Sequence, residues 1–225
     1  MNPTQSDILT PTLSLDPATG LTETLRMASA RHGERAVLLC SFQKEESVIL
    51  DELLRVSEET GAQVRVVTID TGVLFEETMS TWRAFEERFG VRIEVQDATS
   101  PNGPWTGPDN CCSAAKVVAL ERALEDAEGW ITGIRREQGP TRATAELIEV
   151  DNGRGIWKYN PLAYWTNGDL WRRINERDLP YNPLHDRGYD SIGCATCTLP
   201  GAGREGRWAG TEKTECGLHE APVGG

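Results

Sequence analysis

The stretch RAVLLCSFQKEESVILDELLRVSEETGAQVRVVTIDTG, residues 35–72, contains two short apolar runs separated by a segment with helical periodicity. In residues 48–60 the apolar side chains recur at the spacing of one helix face, and Gly61 follows as a typical helix terminator. A second helical segment, residues 76–89, is followed by a glycine and by the apolar run VRIEV, residues 91–95. Strand, helix, strand, helix and strand at this spacing predict an α/β domain with a mostly parallel sheet.

Further elements extend this pattern in both directions. Residues 21–32 carry apolar side chains at helical spacing, and Thr22 is a candidate cap for that helix. The segments AELIEV and IWKYNP flank DNGRG, residues 151–155, and predict a β-hairpin because Asp-Asn-Gly favours the positive φ angles of a tight turn. The remaining predicted elements are a helix at residues 111–127, a strand at 129–133 and a helix at 167–177.

The length and charge of the chain limit the classes of protein that it can represent. Its 225 residues suffice for one sizeable core. No run approaches the ~18 apolar residues that cross a bilayer, and the first thirty residues are acidic where a signal peptide would be basic, so we expect a cytoplasmic protein without membrane contact. A net charge of -12 argues against an extended nucleic-acid surface but leaves room for a small bound anion.

We therefore expect one main domain with two appendages. Residues 1–18 are polar and proline-rich, which predicts a loosely ordered lead-in, and residues 19–200 hold the predicted α/β core. Residues 201–225 contain several glycines, which lower backbone stiffness, and are expected to form a mobile C-terminal segment. The sequence leaves a homo-oligomer open.

Three loops follow predicted strands and are candidates for a ligand pocket. Ligands of parallel sheets bind at the carboxyl ends of the strands where the strand order reverses, which points to residues 41–44 and 70–72. The third loop follows residues 129–133 and carries Arg135, Arg136 and Arg142 within eight residues of an otherwise acidic chain. The first two loops can equally be ordinary connections, and a run of arginines is usually a solvated surface; the place of this run after a strand favours an anion site.

Five of the six cysteines suggest metal binding or catalysis, because a reducing compartment does not maintain structural disulfides. The sixth, Cys40, ends an apolar run and is expected to be a buried strand residue. Adjacent cysteines on a helix diverge by about 100°, so they reach one zinc ion awkwardly but can straddle a larger iron-sulfur cube. A [4Fe-4S] cluster, a zinc ion and unligated thiols all remain open for the two pairs, which are Cys111 with Cys112 and Cys194 with Cys197.

Cys216 has no neighbouring cysteine and is the candidate nucleophile. A reactive thiol needs nearby positive charge to lower its pKa, and Arg204, Arg207, Lys213 and His219 are close in sequence. The alternative is a free thiol in the tail without a function.

The order CC, C-x-x-C and ECGLHE, at residues 111–112, 194–197 and 215–220, resembles the assimilatory adenylyl-sulfate (APS) reductases, as do ITGIRREQGPTRA and VTIDTG. The resemblance implies a three-layer, parallel-sheet fold of the adenine-nucleotide α-hydrolase type, related to ATP pyrophosphatases. It also implies a [4Fe-4S] cluster and the reduction of adenosine 5'-phosphosulfate to sulfite and AMP, in sulfate assimilation toward cysteine, with electrons from thioredoxin.

The same resemblance assigns roles to individual residues. Cys216 would attack the sulfur of the phosphosulfate and hold sulfite as an S-sulfocysteine until a thioredoxin thiolate releases it. Lys116 matches a lysine between cluster and substrate. The implied cluster ligands are Cys111, Cys112, Cys194 and Cys197; the phosphosulfate ligands are Arg204, Arg207 and His219; and the nucleotide contacts are Ser41, Thr132, Gly133, Arg135, Arg136 and Arg142.

One loop departs from the pyrophosphatase relatives. Their glycine-rich loop is replaced here by SFQKEES, residues 41–47, and without glycines the backbone cannot wrap a pyrophosphate closely. This favours a reductase that releases AMP. Two alternatives stay open: a reductase of 3'-phosphoadenylyl sulfate, whose family typically lacks the cluster cysteines, and a non-catalytic, zinc-stabilised nucleotide-binding module.

Overall fold

A computed structural model describes residues 16–99 and 114–208 of the chain. The described part contains five α-helices and six β-strands. In chain order they are α1 (Pro17–His32), β1 (Ala36–Leu39), α2 (Lys44–Thr60), β2 (Arg65–Asp70), α3 (Glu76–Phe89), β3 (Glu94–Asp97), α4 (Ala114–Ala123), β4 (Gly129–Ile131), β5 (Ile148–Asp151), β6 (Ile156–Tyr159) and α5 (Asn167–Arg177).

The six strands form one sheet in the order β3-β2-β1-β4-β6-β5. Every neighbouring pair is parallel except β5 and β6, which pair as an antiparallel hairpin. The predicted α/β class, the mostly parallel sheet and the hairpin are thereby confirmed. Because β1 is flanked by β2 on one side and β4 on the other, the chain reverses its direction of winding between β1 and β4, which is where such sheets bind ligands.

The two faces of the sheet pack against different layers. Leu38 and Ile131 belong to the larger apolar cluster, which includes residues of α1, α2, α3 and α5. Val37 and Trp130, one position earlier on each strand, belong to a second cluster. This alternation follows from the two-residue period of a strand. The second cluster also contains residues of α4, Cys194, Cys197 and Trp208, so the C-x-x-C segment covers the same face as α4.

The helix starts differ from the sequence-based expectation. α1 begins at Pro17, with the Asp16 carboxylate accepting a hydrogen bond from the Thr19 amide at 3.0 Å, so the expected cap at Thr22 is wrong. The Thr22 hydroxyl instead bonds the Ala18 carbonyl oxygen and Glu52. α2 begins four residues before the predicted start, because Glu46 caps the Gln43 amide and extends the helix over its polar first turn.

Three further details were mispredicted. The hairpin turn takes its positive φ at Gly155 (67°), not at the Asp-Asn-Gly positions, because the amides of Arg154 and Gly155 both bond the Asp151 carbonyl oxygen. β3 lies at residues 94–97, later than the run VRIEV indicates. α4 ends at Ala123, four residues short of the predicted end, and the start of that predicted helix at residues 111–113 lies outside the described ranges.

No helix within the described residues has the length and hydropathy needed to span a bilayer.

Candidate active site

A cavity of about 370 Å³ opens at the carboxyl ends of β1, β2 and β4. It therefore lies at the reversal of strand order, where the sequence analysis placed the ligand loops. Most of the described candidate residues line it, which are Ser41, Lys116, Thr132, Gly133, Arg135, Arg142, Cys194, Arg204 and Arg207.

One side of this cavity, which we call the strand-end wall, consists of residues 40–46 after β1 and 132–138 after β4. Its central contact is a buried ion pair between Arg135 and Glu45, with the guanidinium nitrogens 3.0 Å from Glu45 Oε1. Burial is the largest single effect on the Glu45 carboxyl and raises its pKa, but the charges of Arg135 and Lys44 and a backbone hydrogen bond together hold that pKa below the usual value. Arg135 also donates hydrogen bonds to Glu137 and to the Trp165 carbonyl oxygen, so its guanidinium is bonded to three groups of the protein.

Glu46 lies next to this ion pair but is satisfied differently. Its Oε2 accepts hydrogen bonds from the Ser41 hydroxyl and the Gln43 amide, each at 3.0 Å. Burial and the neighbouring Glu45 carboxylate raise the pKa of Glu46 to about 8. A substantial part of this carboxyl is therefore protonated at neutral pH.

Gly133 allows the two halves of the strand-end wall to meet. A Cβ atom at this position would lie 2.6 Å from Glu46 Oε1 and 2.8 Å from Glu45 Cβ. The preceding Thr132 is buried and donates its hydroxyl to Asn160 Oδ1 at 2.7 Å. A side chain at residue 133 would thus separate α2 from the end of β4.

The opposite side, the loop wall, consists of residues 190–207. Arg207 donates to the Ser191 hydroxyl and to the Ile192 carbonyl oxygen, each at 3.2 Å. Its guanidinium lies 4.7 Å from the centre of the Trp208 ring, and that of Arg204 lies 5.2 Å from the same ring. Trp208 is fully buried and so fixes both arginines at the edge of the cavity.

Two side chains of the loop after β1 fasten the loop wall to the strand-end wall. Gln43 accepts a hydrogen bond from the Ile192 amide at 2.8 Å, and Lys44 donates to the Asp190 carbonyl oxygen at 3.2 Å. Burial lowers the pKa of Lys44 although Glu45 partly opposes that effect. These contacts set the width of the cavity.

Cys194 and Cys197 lie on one buried turn beside the loop wall. The Cys197 amide bonds the Cys194 carbonyl oxygen at 3.2 Å, and the Thr71 hydroxyl lies 3.3 Å from the Cys194 sulfur. Leu74 forms a bridge with Cys194, so the loop after β2 holds the C-x-x-C turn in place. The described residues contain no group of three metal-type ligands. Cys111, Cys112, Cys216 and His219 lie outside the described ranges.

Residues 201–208 pack on the domain, although their glycines had indicated mobility. An added Cβ at Gly206 would lie 2.0 Å from the Leu199 carbonyl oxygen, and one at Gly201 would lie 2.7 Å from the Gly206 amide nitrogen. The Trp208 amide bonds the Cys197 carbonyl oxygen at 3.0 Å. These glycines permit close packing of a turn, so residues 201–208 are not part of the mobile segment that was predicted from residue 201 onward.

Arg136 is turned away from the other candidate residues. It donates to the Ala145 carbonyl oxygen, to Glu146 and to the Tyr164 hydroxyl, and its guanidinium stacks 4.2 Å from the Tyr164 ring. We leave it out of the proposed site. Conversely, Glu46 and Trp208 were not among the predicted site residues, and Gln43 and Lys44 were predicted only as part of the pocket loop 41–44. Gln43, Lys44 and Glu46 all belong to SFQKEES, the segment that stands in place of the glycine-rich loop.

Known proteins resemble this chain in sequence over most of its length. The sequence family described as phosphoadenosine phosphosulfate reductase domain matches residues 35–200. The chain is 39% identical over 216 residues to adenosine 5'-phosphosulfate reductase of Bacillus pumilus (strain SAFR-032), covering 89% of this chain and 91% of that protein. It is 41% identical over 204 residues to phosphoadenosine 5'-phosphosulfate reductase of Gloeobacter violaceus (strain ATCC 29082 / PCC 7421), covering 83% of each.

The fold is also found among solved structures. The phosphoadenylyl-sulfate (PAPS) reductase from Candida auris, in its phosphate complex, matches with a TM-score of 0.72 and 23% identity, covering 88% of this chain and 99% of that one. The predicted nucleotide-binding fold is thereby confirmed.

Proposed function

The chain belongs to the phosphoadenosine phosphosulfate reductase family, and we propose that it reduces adenosine 5'-phosphosulfate (APS) to sulfite and AMP. The observation that carries this proposal is the convergence of three elements on one cavity, namely the loop after β1, the arginines of the loop wall and the turn that holds Cys194. The first would bind the nucleoside, the second the phosphosulfate, and the third would anchor a cluster beside it. The curated relative from Bacillus pumilus, named an adenosine 5'-phosphosulfate reductase, supports the choice of substrate.

Charge decides the orientation that we propose for APS. Arg204, Arg207 and Lys116 line one part of the cavity, and charge-assisted hydrogen bonds from such groups favour an anionic phosphosulfate. On the strand-end wall, the carboxylate of Glu45 balances the charge of Arg135. The nucleoside would therefore lie toward the strand-end wall and the phosphosulfate toward the loop wall.

In the first chemical step, the Cys216 thiolate attacks the sulfur of the bound phosphosulfate. A bond forms between Cys216 Sγ and that sulfur, and the sulfur–oxygen bond to the phosphate breaks, so that AMP leaves with the electron pair of that bond. Positive charge from Arg204, Arg207 and Lys116 would stabilise the leaving phosphate, and His219 would assist as an additional ligand. The product is an S-sulfocysteine on Cys216.

The second step needs a dithiol reductant of the thioredoxin class. One of its thiolates attacks Cys216 Sγ and displaces sulfite, which leaves with the electron pair of the sulfur–sulfur bond. Its second thiolate then attacks the mixed disulfide, releases Cys216 and completes the two-electron oxidation of the reductant.

The residues present fit a [4Fe-4S] cluster. Cys194 and Cys197 are buried on one turn, and the Thr71 hydroxyl lies 3.3 Å from the Cys194 sulfur as a neighbour for a ligating thiolate. α4 begins only two residues after Cys112 and carries Lys116, which lines the same cavity as Cys194. Cys111, Cys112, Cys194 and Cys197 would hold the cluster. When bound, it would join the two cysteine pairs and set the local charge, while thiol exchange carries the electrons.

The test is a reductase assay on protein purified without air. We expect sulfite release from APS with a thioredoxin-type reductant, and four iron and four sulfide per chain. Cys216→Ser should keep the iron and the affinity for AMP but form no covalent sulfite adduct. A colourless protein with one zinc ion and no sulfite release would instead support the non-catalytic module.

A reductase of the 3'-phosphorylated nucleotide is the second candidate. The relative from Gloeobacter violaceus carries that name at an identity comparable to that of the Bacillus protein. Turnover compared between the two nucleotides discriminates them, and at least a tenfold preference for the phosphorylated one, about 1.4 kcal/mol, would reverse our choice.

A further inference from the structure

Glu46 is a buried carboxyl of the strand-end wall for which the proposed chemistry has no use. It is 4% exposed and lines the cavity together with Ser41 and Gly133. The hydrogen bonds from the Ser41 hydroxyl and the Gln43 amide both end on Oε2. Oε1 lies against Gly133, where an added Cβ would come within 2.6 Å of it. Oε2 is thus held by two donors of the chain, whereas Oε1 lies against Gly133, which lines the cavity.

The charges around Glu46 explain why it differs from its neighbour. Glu45, on the same helix, is neutralised by Arg135 at 3.0 Å, whereas the described contacts of Glu46 are a hydroxyl and a main-chain amide. Two titratable groups that interact with Glu46 are Glu45 on α2 and Cys40 directly after β1, and neither supplies positive charge. A buried carboxyl in such surroundings tolerates a neutral partner much better than an anion.

We propose that Glu46 is a substrate-binding and specificity-determining residue, whose Oε1 bonds a hydroxyl of the ribose and whose carboxyl rejects a nucleotide with a phosphate at that hydroxyl. The proposal rests on the proposed function, because it takes the nucleoside to lie against the strand-end wall. A carboxylate is a common partner of ribose hydroxyls in α/β nucleotide sites, and those sites use an arginine where a phosphate replaces the hydroxyl.

Two cations of the strand-end wall, Arg135 and Lys44, are placed so that they would not relieve this repulsion. Arg135 is engaged by Glu45 and Glu137, and Lys44 is buried under the loop against the Asp190 carbonyl oxygen. A second phosphate beside Glu46 would also lie close to Glu45. The charge of Arg135 is already divided between the carboxylates of Glu45 and Glu137. A site built around a hydroxyl rejects the wrong analogue strongly, because its buried groups then lose their partners.

The test measures the affinities of five nucleotides at pH 8.5, where most of the Glu46 carboxyl is ionised. The probes are AMP, its 2'-deoxy and 3'-deoxy analogues, and adenosine 2',5'- and 3',5'-bisphosphate. In the wild-type protein we expect one of the two deoxy analogues to bind about tenfold more weakly than AMP. The bisphosphate that carries its second phosphate at the same ribose carbon should bind at least tenfold more weakly than AMP, a difference of about 1.4 kcal/mol. Glu46→Gln should reduce the penalty for that bisphosphate at least tenfold while AMP affinity changes little.

A matched control is Glu52→Gln, since Glu52 is also a buried carboxylate of α2 but is paired with Arg55. It should leave the ratio of bisphosphate to AMP affinity unchanged. Equal affinities of wild type for AMP and for both bisphosphates would overturn the inference, as would the same ratio in wild type and Glu46→Gln. The wild-type series needs no variant, so the inference stays falsifiable if Glu46→Gln does not fold. Discrimination among the nucleotides without sulfite release from APS would instead sink the proposed function alone.

Discussion

Arg135 and Arg207 are both buried arginines of the same cavity, but they are held by different kinds of acceptor. Arg135 is bonded to the carboxylates of Glu45 and Glu137, which are fixed by α2 and by the loop after β4. Arg207 is bonded within the described chain to a hydroxyl and a carbonyl oxygen, and it stacks on Trp208. Arg135 therefore joins the two parts of the strand-end wall, whereas Arg207 is itself held in place by the loop wall and by Trp208. Removing them should therefore have different consequences.

The largest effect should follow from Arg135→Met. Glu45 would then be buried without its counter-charge, and breaking a buried ion pair in this way costs about 3–5 kcal/mol of unfolding free energy. Denaturant unfolding of the anaerobically purified protein measures this loss. The double variant with Glu45→Gln should recover part of it, because the uncompensated carboxylate is gone.

The matched control is Arg65→Met, which breaks a pair with Glu94 between two partly exposed side chains. Exposed pairs contribute about 0–1 kcal/mol, so this variant should unfold nearly like the wild type. If Arg135→Met were no more destabilising than Arg65→Met, the description of Arg135 as a structural arginine would be wrong.

The next effect concerns binding. Arg207→Ala removes a charge-assisted donor from the loop wall, and the affinity for APS should fall by about 1.5–3 kcal/mol. The unfolding free energy should change less than for Arg135→Met, because the Ser191 hydroxyl and the Ile192 carbonyl oxygen, which lose their donor, are neutral. Calorimetric titration of the Cys216→Ser protein, which cannot consume APS, gives the affinity. Arg187→Ala, at an exposed arginine paired with Glu77, is the control; equal affinities of the two variants would remove Arg207 from the site.

Glu46, a buried carboxyl next to the ion pair of Arg135, should make the unfolding free energy depend on pH. Its pKa is raised from 4.5 to about 8 in the folded protein, so between these values the unfolded chain releases a proton that the folded protein retains. The stability contribution of Glu46 is then fully present at low pH and is lost as pH rises, by up to about 1.4 kcal/mol per pH unit, until it levels off near pH 8. The unfolding free energy of wild type minus that of Glu46→Gln should fall from pH 6 to pH 7. A constant difference would contradict the raised pKa.

Periodic segments were the most predictable part of this fold. α3 and α5 have the bounds that the sequence indicated, because each has an apolar stripe and a clear boundary signal. Gly90 ends α3, and a capping box at Thr166 begins α5. The start of α2 could not be found in that way, since its first turn is made of charged residues. These residues are buried in the wall of the cavity and not in the apolar core.

The candidate site was predictable where a residue type implies its chemistry. Arginines and cysteines drew attention in the sequence, and Arg204, Arg207 and Cys194 do line one cavity. Arg136 shows the limit of this reasoning, because its position in the loop points it toward Tyr164. Trp208 could not be assigned from the sequence at all, since its role arises only when residues 198–208 fold back on the C-x-x-C turn.

The smallest expected effect concerns the C-terminal segment, which carries Cys216 and lies mostly outside the described ranges. In the proposed mechanism, Cys216 reaches the bound phosphosulfate and afterwards meets the thiolate of another protein, so we expect this segment to move. Trypsin offers an internal comparison, because Arg207 is buried and precedes the buried Trp208, whereas Lys213 lies five residues beyond it. Cleavage should begin after Lys213 and spare Arg207, since proteolysis requires local unfolding of packed chain. AMP should slow the cut at Lys213 about threefold, equivalent to roughly 0.65 kcal/mol, if His219 contacts the bound nucleotide. Mass spectrometry of the early fragments identifies the sites. Early cleavage after Arg207 would return the start of the mobile segment to residue 201. An unchanged rate of cleavage after Lys213 in the presence of AMP would mean that nucleotide binding does not restrain the segment that carries Cys216.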